Sequence, residues 1–250
     1  EPQSDGETAI ILEVLPRRSA FKRTVPSSRK GAARAQVVAA NIDTLFLVNG
    51  LDDNFRLRRI ERYVTLAWES GATPVVVLNK ADLREDIDEV LVEVEGVAPG
   101  VDVHAVSALD GDGIEPLRAY CTVGRTVGLA GSSGVGKSTL INALLGEARM
   151  RTTEVRKGDS RGRHTTTHRE LVRLADGGLL IDTPGMRELA LWSEGEGVSA
   201  TFSDIETLAE QCRFRDCGHD SEPGCAVKAA LETGELSASR LESYRKQQRE

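Results

Sequence analysis

Residues Gly131–Ser138 read Gly-Ser-Ser-Gly-Val-Gly-Lys-Ser and stand between an apolar run, Thr126–Ala130, and a helix-forming run, Thr139–Leu145. This is the GxxxxGK[ST] pattern in the strand–loop–helix setting that gives it meaning. Glycines let backbone N–H groups turn inward around phosphate oxygens, and the helix N-terminus adds its partial positive charge. The nucleotide-binding set expected here is Gly131, Ser132, Ser133, Gly134, Val135, Gly136, Lys137, Ser138 and Thr139. Lys137 is expected to reach the β- and γ-phosphates, and Ser138 to supply a hydroxyl to Mg²⁺. Such a loop requires a parallel α/β sheet to carry it.

A second motif points to the base. The run Val75–Leu78, all β-branched or aliphatic, reads as a strand buried on both faces, and it ends in Asn79-Lys80-Ala81-Asp82. Asp82 can accept two hydrogen bonds from the N1–H and exocyclic amine of guanine, a pairing adenine cannot reciprocate. Asn79 and the stem of Lys80 can brace the loop and cover the ring. One strand later, Val101–Val106 ends in Ser107-Ala108, a dipeptide expected to offer backbone N–H groups to the guanine O6.

Beyond the phosphate loop lie two segments suited to a γ-phosphate. Arg161–Arg169 reads Arg-Gly-Arg-His-Thr-Thr-Thr-His-Arg, where Thr166, with Thr165 next, is expected to close onto Mg²⁺ and the γ-phosphate. Glu170–Leu174 and Leu179–Ile181 read as a hairpin through Asp176-Gly177-Gly178, leading into Asp182-Thr183-Pro184-Gly185. There Asp182 is expected to hold Mg²⁺ through water, and the Gly185 N–H to sense the γ-phosphate. The catalytic candidates are thus Lys137, Thr166 and Gly185, and the magnesium candidates Ser138, Thr166 and Asp182. The base loops precede the phosphate loop, the reverse of the ordinary order, which circular permutation explains while leaving the sites in place.

Past the second switch the chain carries Cys212, Cys217, His219 and Cys225. Three thiolates and an imidazole make a closed tetrahedral set, the structural form of zinc coordination. The segment around them holds few large apolar residues, so metal is expected to supply much of its folding free energy. Cys121 is expected to be a lone core thiol.

The chain has 250 residues, 40% of them apolar and 28% charged, enough for one α/β core and a smaller appendage. Its net charge of −7 argues against indiscriminate nucleic-acid binding, but basic residues cluster at Arg17–Arg34 and Arg149–Arg163, which favours local contact with a polyanion. A polar start and the lack of a long apolar run lead to the expectation of neither signal peptide nor membrane anchor. Ala9–Leu15 reads as one strand, residues 16–35 as a loop or linker, and Leu57–Ser70 as a helix stopped by Gly71. Ile87–Val94 reads as an acidic amphipathic helix.

The segment Gln36–Asp82, the order NKAD, SA, GSSGVGKS, GRHTTT, DTPG, and then Cys-x4-Cys-x-His-x5-Cys resemble the small-subunit-dependent GTPase family RsgA, or YjeQ. The resemblance implies a cytoplasmic, monomeric GTP hydrolase that binds GTP and GDP with Mg²⁺, carries one structural Zn²⁺, and engages the small ribosomal subunit and its rRNA late in maturation. It also implies three units: a remnant of an N-terminal oligonucleotide-binding barrel with a basic linker over 1–35, a circularly permuted GTPase domain over 36–195, and a zinc-binding helical domain over 196–250. After Leu191-Trp192 the family typically has a histidine implicated in hydrolysis, where this chain has Ser193. An RNA-binding scaffold with negligible turnover is the alternative of a different class. A permuted GTPase of large-subunit assembly is a third reading, against which the zinc segment speaks.

Overall fold

The computed structural model describes residues 12–14, 16–25, 34–53, 55–148, 170–182 and 196–248. Among these, strands β1 (Ala20–Val25) and β2 (Arg34–Ala40) form an antiparallel pair; then come β3 (Thr44–Gly50), helix α1 (Leu57–Glu69), β4 (Thr73–Asn79), α2 (Ile87–Val97) and β5 (Asp102–Val106). Next in the chain are β6 (Thr126–Ala130), α3 (Lys137–Leu145), β7 (Glu170–Arg173) and β8 (Leu179–Asp182). Short helices α4 (Glu196–Thr201) and α5 (Ser203–Ala209), with α6 (Ala226–Thr233) and α7 (Ala238–Gln247), complete the described chain.

The main sheet has the order β5-β4-β3-β6-β8-β7, parallel except for β7, which pairs antiparallel with β8. Its central strands are buried throughout, β3 at every position and β4 at all but the first, as a sheet covered on both faces requires. Side chains alternate across it. Leu45, Leu47, Val76 and Leu78 meet α1 and α2 on one face, while Phe46, Val48, Val75 and Val77 meet α3 and the segment before β6 on the other. Because the five parallel strands point the same way, the loops leaving β3, β4, β5, β6 and β8 gather at one edge of the sheet.

The N-terminal expectation needs correction. Residues 12–14 carry no strand, and Leu12 and Val14 are exposed; 9–11 and 15 lie outside the described residues. The stretch read as a linker contains β1, whose Phe21 is fully buried in the same core as α1. The hairpin is fastened further by Ala20 N–H to Ser70 O at 2.8 Å and by the Ser19 hydroxyl to Ile42 O at 2.7 Å. β2 runs across the expected boundary at residue 35, so the hairpin packs as part of the sheet unit.

The C-terminal helices have a core of their own, in which Phe202, Ile205, Val227 and Leu241 are buried and Phe202 lies against Tyr244. They are fixed to the sheet unit by Arg240, only 4% exposed. Its Nη1 donates to Glu61 of α1 (2.9 Å) and to Val97 O at the end of α2 (2.8 Å). Nη2 donates to Thr201 O and Asp204, and Nε to Asp204, so all five guanidinium N–H groups are used. The guanidinium also lies 4.3 Å from the centre of the Phe202 ring. Glu61 is equally buried, and removing its partner leaves a charge without compensation. Arg240→Met is expected to cost about 3 kcal/mol in chemical denaturation. Adding Glu61→Gln should recover part of that loss, and a single variant as stable as the parent would contradict the latch.

Candidate functional site

The phosphate loop leaves β6 beside β3, and two of its glycines are fixed by close approach. A Cβ on Gly131 would stand 2.2 Å from Val48 O, and one on Gly136 would stand 2.1 Å from Asn79 Nδ2. The pattern therefore needs glycine at both places for packing as well as for phosphate approach. Gly136 sits at φ 96 and precedes α3, whose first N–H groups, from Lys137, Ser138 and Thr139, lack carbonyl partners within the helix, as helix N-termini that bind anions do. The Lys137 ammonium is buried and held over the loop by Gly131 O at 2.7 Å and Ser132 O at 2.5 Å.

The base loop is joined to this loop directly. Asn79 Nδ2 donates to Val135 O at 2.8 Å, and its Oδ1 accepts from the Ala108 N–H at 3.0 Å, so one amide ties the loops after β4, β5 and β6. Lys80, at φ 65, donates to Gly134 O at 2.8 Å and to Asp52 Oδ2 at 2.6 Å. Asp82 is exposed, in a single 3-10 turn over Ala81–Leu83, and accepts from the Ser107 hydroxyl at 2.7 Å. That hydroxyl is equally close to Asp110 Oδ2 and, with one proton, serves one carboxylate at a time. The expected role of Ser107-Ala108 is altered in one respect. Its two N–H groups are engaged within the protein, Ser107 with Asp112 O and Ala108 with Asn79, so in this state the dipeptide orients Asp82 and Asn79 instead of presenting free donors.

Asp182 ends β8 and is 1% exposed. Since Gly128 pairs with Ile181, Asp182 stands one step further along, towards the strand end that feeds Gly131. Ser138 lies in the first turn of α3. Thr165, Thr166, Gly185, His164, His168, Met186 and Ser193 lie outside the described residues, as does the basic run from Arg149 to Arg163.

The second cluster is metal-shaped. Ligand atoms of Cys212, Cys217, His219 and Cys225 lie within 4.8 Å of one another. His219 Nδ1 is 3.6 Å from Cys212 Sγ and 3.5 Å from Cys225 Sγ, and the two sulfurs are 3.9 Å apart. A tetrahedron with metal–sulfur bonds of about 2.3 Å and a metal–nitrogen bond of about 2.0 Å has sulfur–sulfur edges near 3.8 Å and sulfur–nitrogen edges near 3.5 Å. The donor set fits zinc in chemistry, and the face formed by Cys212, His219 and Cys225 fits it in size. Supporting groups hold it. Burial raises the Cys212 thiol, but the N–H groups of Ala226 and Val227 at the start of α6, together with hydrogen bonds to Cys225 and Cys217, bring it below its ordinary value. The Glu222 carboxylate takes the N–H groups of Gly218, Asp220 and Ser221; its own N–H and those of Gly218 and Asp220 push it down to about 2. Arg245 donates to His219 O at 2.5 Å. His219 is at φ 56, a conformation few residues other than glycine adopt and one these anchors sustain. Cys121 is buried away from this cluster, its thiol pushed up to about 11 chiefly by burial, as a core thiol should be.

Comparison with known proteins decides the family. The model of the family described as RsgA GTPase matches residues 14–192. The chain belongs to the RsgA GTPase family. A relative from Oceanobacillus iheyensis, named small ribosomal subunit biogenesis GTPase RsgA 1, is 49% identical over 246 residues, covering 98% of this chain and 69% of that protein. A Streptomyces avermitilis relative, named small ribosomal subunit biogenesis GTPase RsgA, is 51% identical over 248 residues, covering 98% of this chain and 66% of that one. Among solved structures, YjeQ from Thermotoga maritima superposes with a TM-score of 0.69 at 30% identity, over 98% of this chain and 79% of that one. YloQ, described as a circularly permuted GTPase, gives 0.62 at 26% identity, over 94% and 80%. The permuted order read from the motifs is thus the order of this RsgA fold.

Base recognition through Asp82 has a direct test. Asp82→Asn should weaken GDP binding at least about a hundredfold and shift preference towards xanthosine nucleotides, because a polar site built for one pairing rejects its complement strongly. Competition titration of GDP, ADP and XDP against the parent and the variant measures it, and equal affinity of the parent for GDP and ADP would rule it out.

Proposed function

We propose that this RsgA-family protein binds the small (30S) ribosomal subunit and its rRNA and hydrolyses GTP during late maturation of that subunit. The observation that carries the reading is the stitching of a guanine-type base loop to a phosphate loop by Asn79, in a chain whose curated relatives are named for small-subunit biogenesis. In this proposal Lys137 and the first N–H groups of α3 take the β- and γ-phosphates, Asp82 reads the base, and Ser138, Thr166 and Asp182 hold Mg²⁺. The metal would neutralise charge developing on the transferred phosphoryl group; the protein's own residues position it. Lys137, Thr166 and Gly185 are assigned to the chemistry, with Zn²⁺ held by Cys212, Cys217, His219 and Cys225.

We assign the sheet unit to the stretch ending near residue 195, with the hairpin of β1 and β2 included, and the zinc-bearing helices to 196–250. The protein acts as a monomer in this reading. Among the described residues, no helix is long and apolar enough to cross a membrane.

Phosphoryl transfer needs a group that positions water, a task often given to Gln just after the second-switch glycine. Here that residue is Met186, whose thioether cannot do it, and Ser193 stands where the family typically has histidine. Intrinsic turnover should therefore be slow, and added small subunits should raise it by at least about tenfold, in a class where such stimulation reaches several orders of magnitude. Turnover that is as fast without subunits as with saturating subunits would reject the coupling and favour the scaffold reading if both rates are negligible.

The metal site gives a second experiment. The purified protein should carry one zinc per chain, and Cys217→Ala should lose it while leaving GDP affinity within about twofold, since α6 and α7 retain their apolar core and the nucleotide loops lie elsewhere. Subunit-stimulated turnover should fall in that variant. A metal-free native protein, or a variant stimulated as well as the parent, would refute the assignment.

A further inference from the structure

The loop leaving β3 carries a carboxylate that the nucleotide-binding motifs do not include. Asp52 Oδ2 lies 2.6 Å from Lys80 Nζ, and the same ammonium donates to Gly134 O in the phosphate loop at 2.8 Å. β3 is the strand between β4 and β6, so Asp52 stands at the seam between the base loop and the phosphate loop. The Leu51 N–H donates to Asn79 O at 2.8 Å, which fastens the loop that carries the carboxylate to the start of the base loop. A Cβ on Gly50 would come 3.3 Å from Asp52 Oδ2, so glycine there leaves the carboxylate room to turn towards Lys80. The two side chains are 22% and 25% exposed, partly shielded from solvent screening.

We infer that Asp52 is a positioning residue for the bound nucleotide, acting through Lys80. The inference rests on the guanine-nucleotide reading of this site and deepens it. The Lys80 stem is long and rich in rotamers, and its ordering must be met either before the ligand arrives or when it binds. Asp52 meets it beforehand. With the ammonium pinned between Asp52 and Gly134 O, base loop and phosphate loop keep one separation, the separation that a nucleotide bridges. Pairing with Asp52 also neutralises Lys80, so that Lys80 serves as a strut and Lys137 remains the cation for the phosphates.

The test uses the full chain as parent, Asp52→Asn, Asp52→Glu, Lys80→Met and the double variant Asp52→Asn with Lys80→Met. Each is titrated with fluorescent GDP and GTP analogues, dissociation is monitored by stopped flow, and steady-state turnover is measured. Asp52→Asn should weaken both nucleotides by roughly three- to tenfold, the range of a half-screened ion pair with a charge-assisted hydrogen bond. The loss should appear as faster dissociation and as a higher KM more than a lower kcat. Asp52→Glu should recover part of it, and the double variant should bind no worse than Lys80→Met alone. A parent-like dissociation rate in Asp52→Asn, additive effects in the double variant, or a loss confined to kcat would overturn the proposal. So would a marked drop in the nucleotide-free melting temperature, which would make the contact structural. If the parent itself fails to bind the GDP analogue, it is the guanine-nucleotide reading that falls, and the two failures are distinguished in one experiment.

Discussion

The side-chain amide of Asn79 is the contact on which the nucleotide site depends. It is buried, and it donates to Val135 O and accepts from the Ala108 N–H, so three loops that are far apart in sequence share one fixed reference. A buried amide of this kind is costly to leave unpaired, and that cost resists separation of the loops. The same contact explains why Gly136 cannot carry a side chain, since Nδ2 occupies the space a Cβ would fill. Permutation is tolerated for the same reason. The site is defined by which strands are neighbours, and β4, β3 and β6 remain neighbours whichever segment the chain enters first.

Arg240 sets how the helical unit can respond. Chain order alone suggests an appendage hanging on the segment after Asp182, free to track the γ-phosphate. The structure ties it to α1 through Glu61 and to the end of α2 through Val97 O. α1 joins β3 to β4, so the unit that carries the metal cluster is braced against the half of the sheet that bears the base loop. Any influence of the γ-phosphate on this unit must then work against a buried, fully bonded guanidinium, and a change there is a discrete repacking in preference to a gradual tilt.

The sheet and the contiguous motifs were legible because each is a local pattern. Runs such as Val75–Leu78 declare a strand buried on both faces, and the phosphate loop, base loop and Cys-x4-Cys-x-His-x5-Cys carry their chemistry within a few residues. What was missed is long-range. Phe21 lies in a polar, basic stretch with no apolar period, and its burial comes from the partner strand β2 and from the core beneath α1. Asp52 meets Lys80 across 28 positions and Arg240 meets Glu61 across 179, so each looks in sequence like an ordinary surface charge. Glu222 was closer at hand, three residues beyond His219, but carboxylates that gather backbone N–H groups leave no signature in spacing.

The metal cluster and the apolar core divide the helical unit between them. Phe202, Ile205, Val227, Leu236, Leu241 and Tyr244 hold the helices by burial. That burial does not extend to the tip. Between Cys212 and Cys225 the large apolar side chain is Phe214, and it is 40% exposed, so the loop carrying Cys217 and His219 is held by Glu222, by Arg245 and by whatever the four donors bind. Burial and neighbouring thiols push the Cys217 thiol up to about 11, and a bound Zn²⁺ would favour the thiolate strongly. A metal held by the four donors would therefore constrain the tip more than the helices, and the two parts of the unit should lose order separately as it is withdrawn.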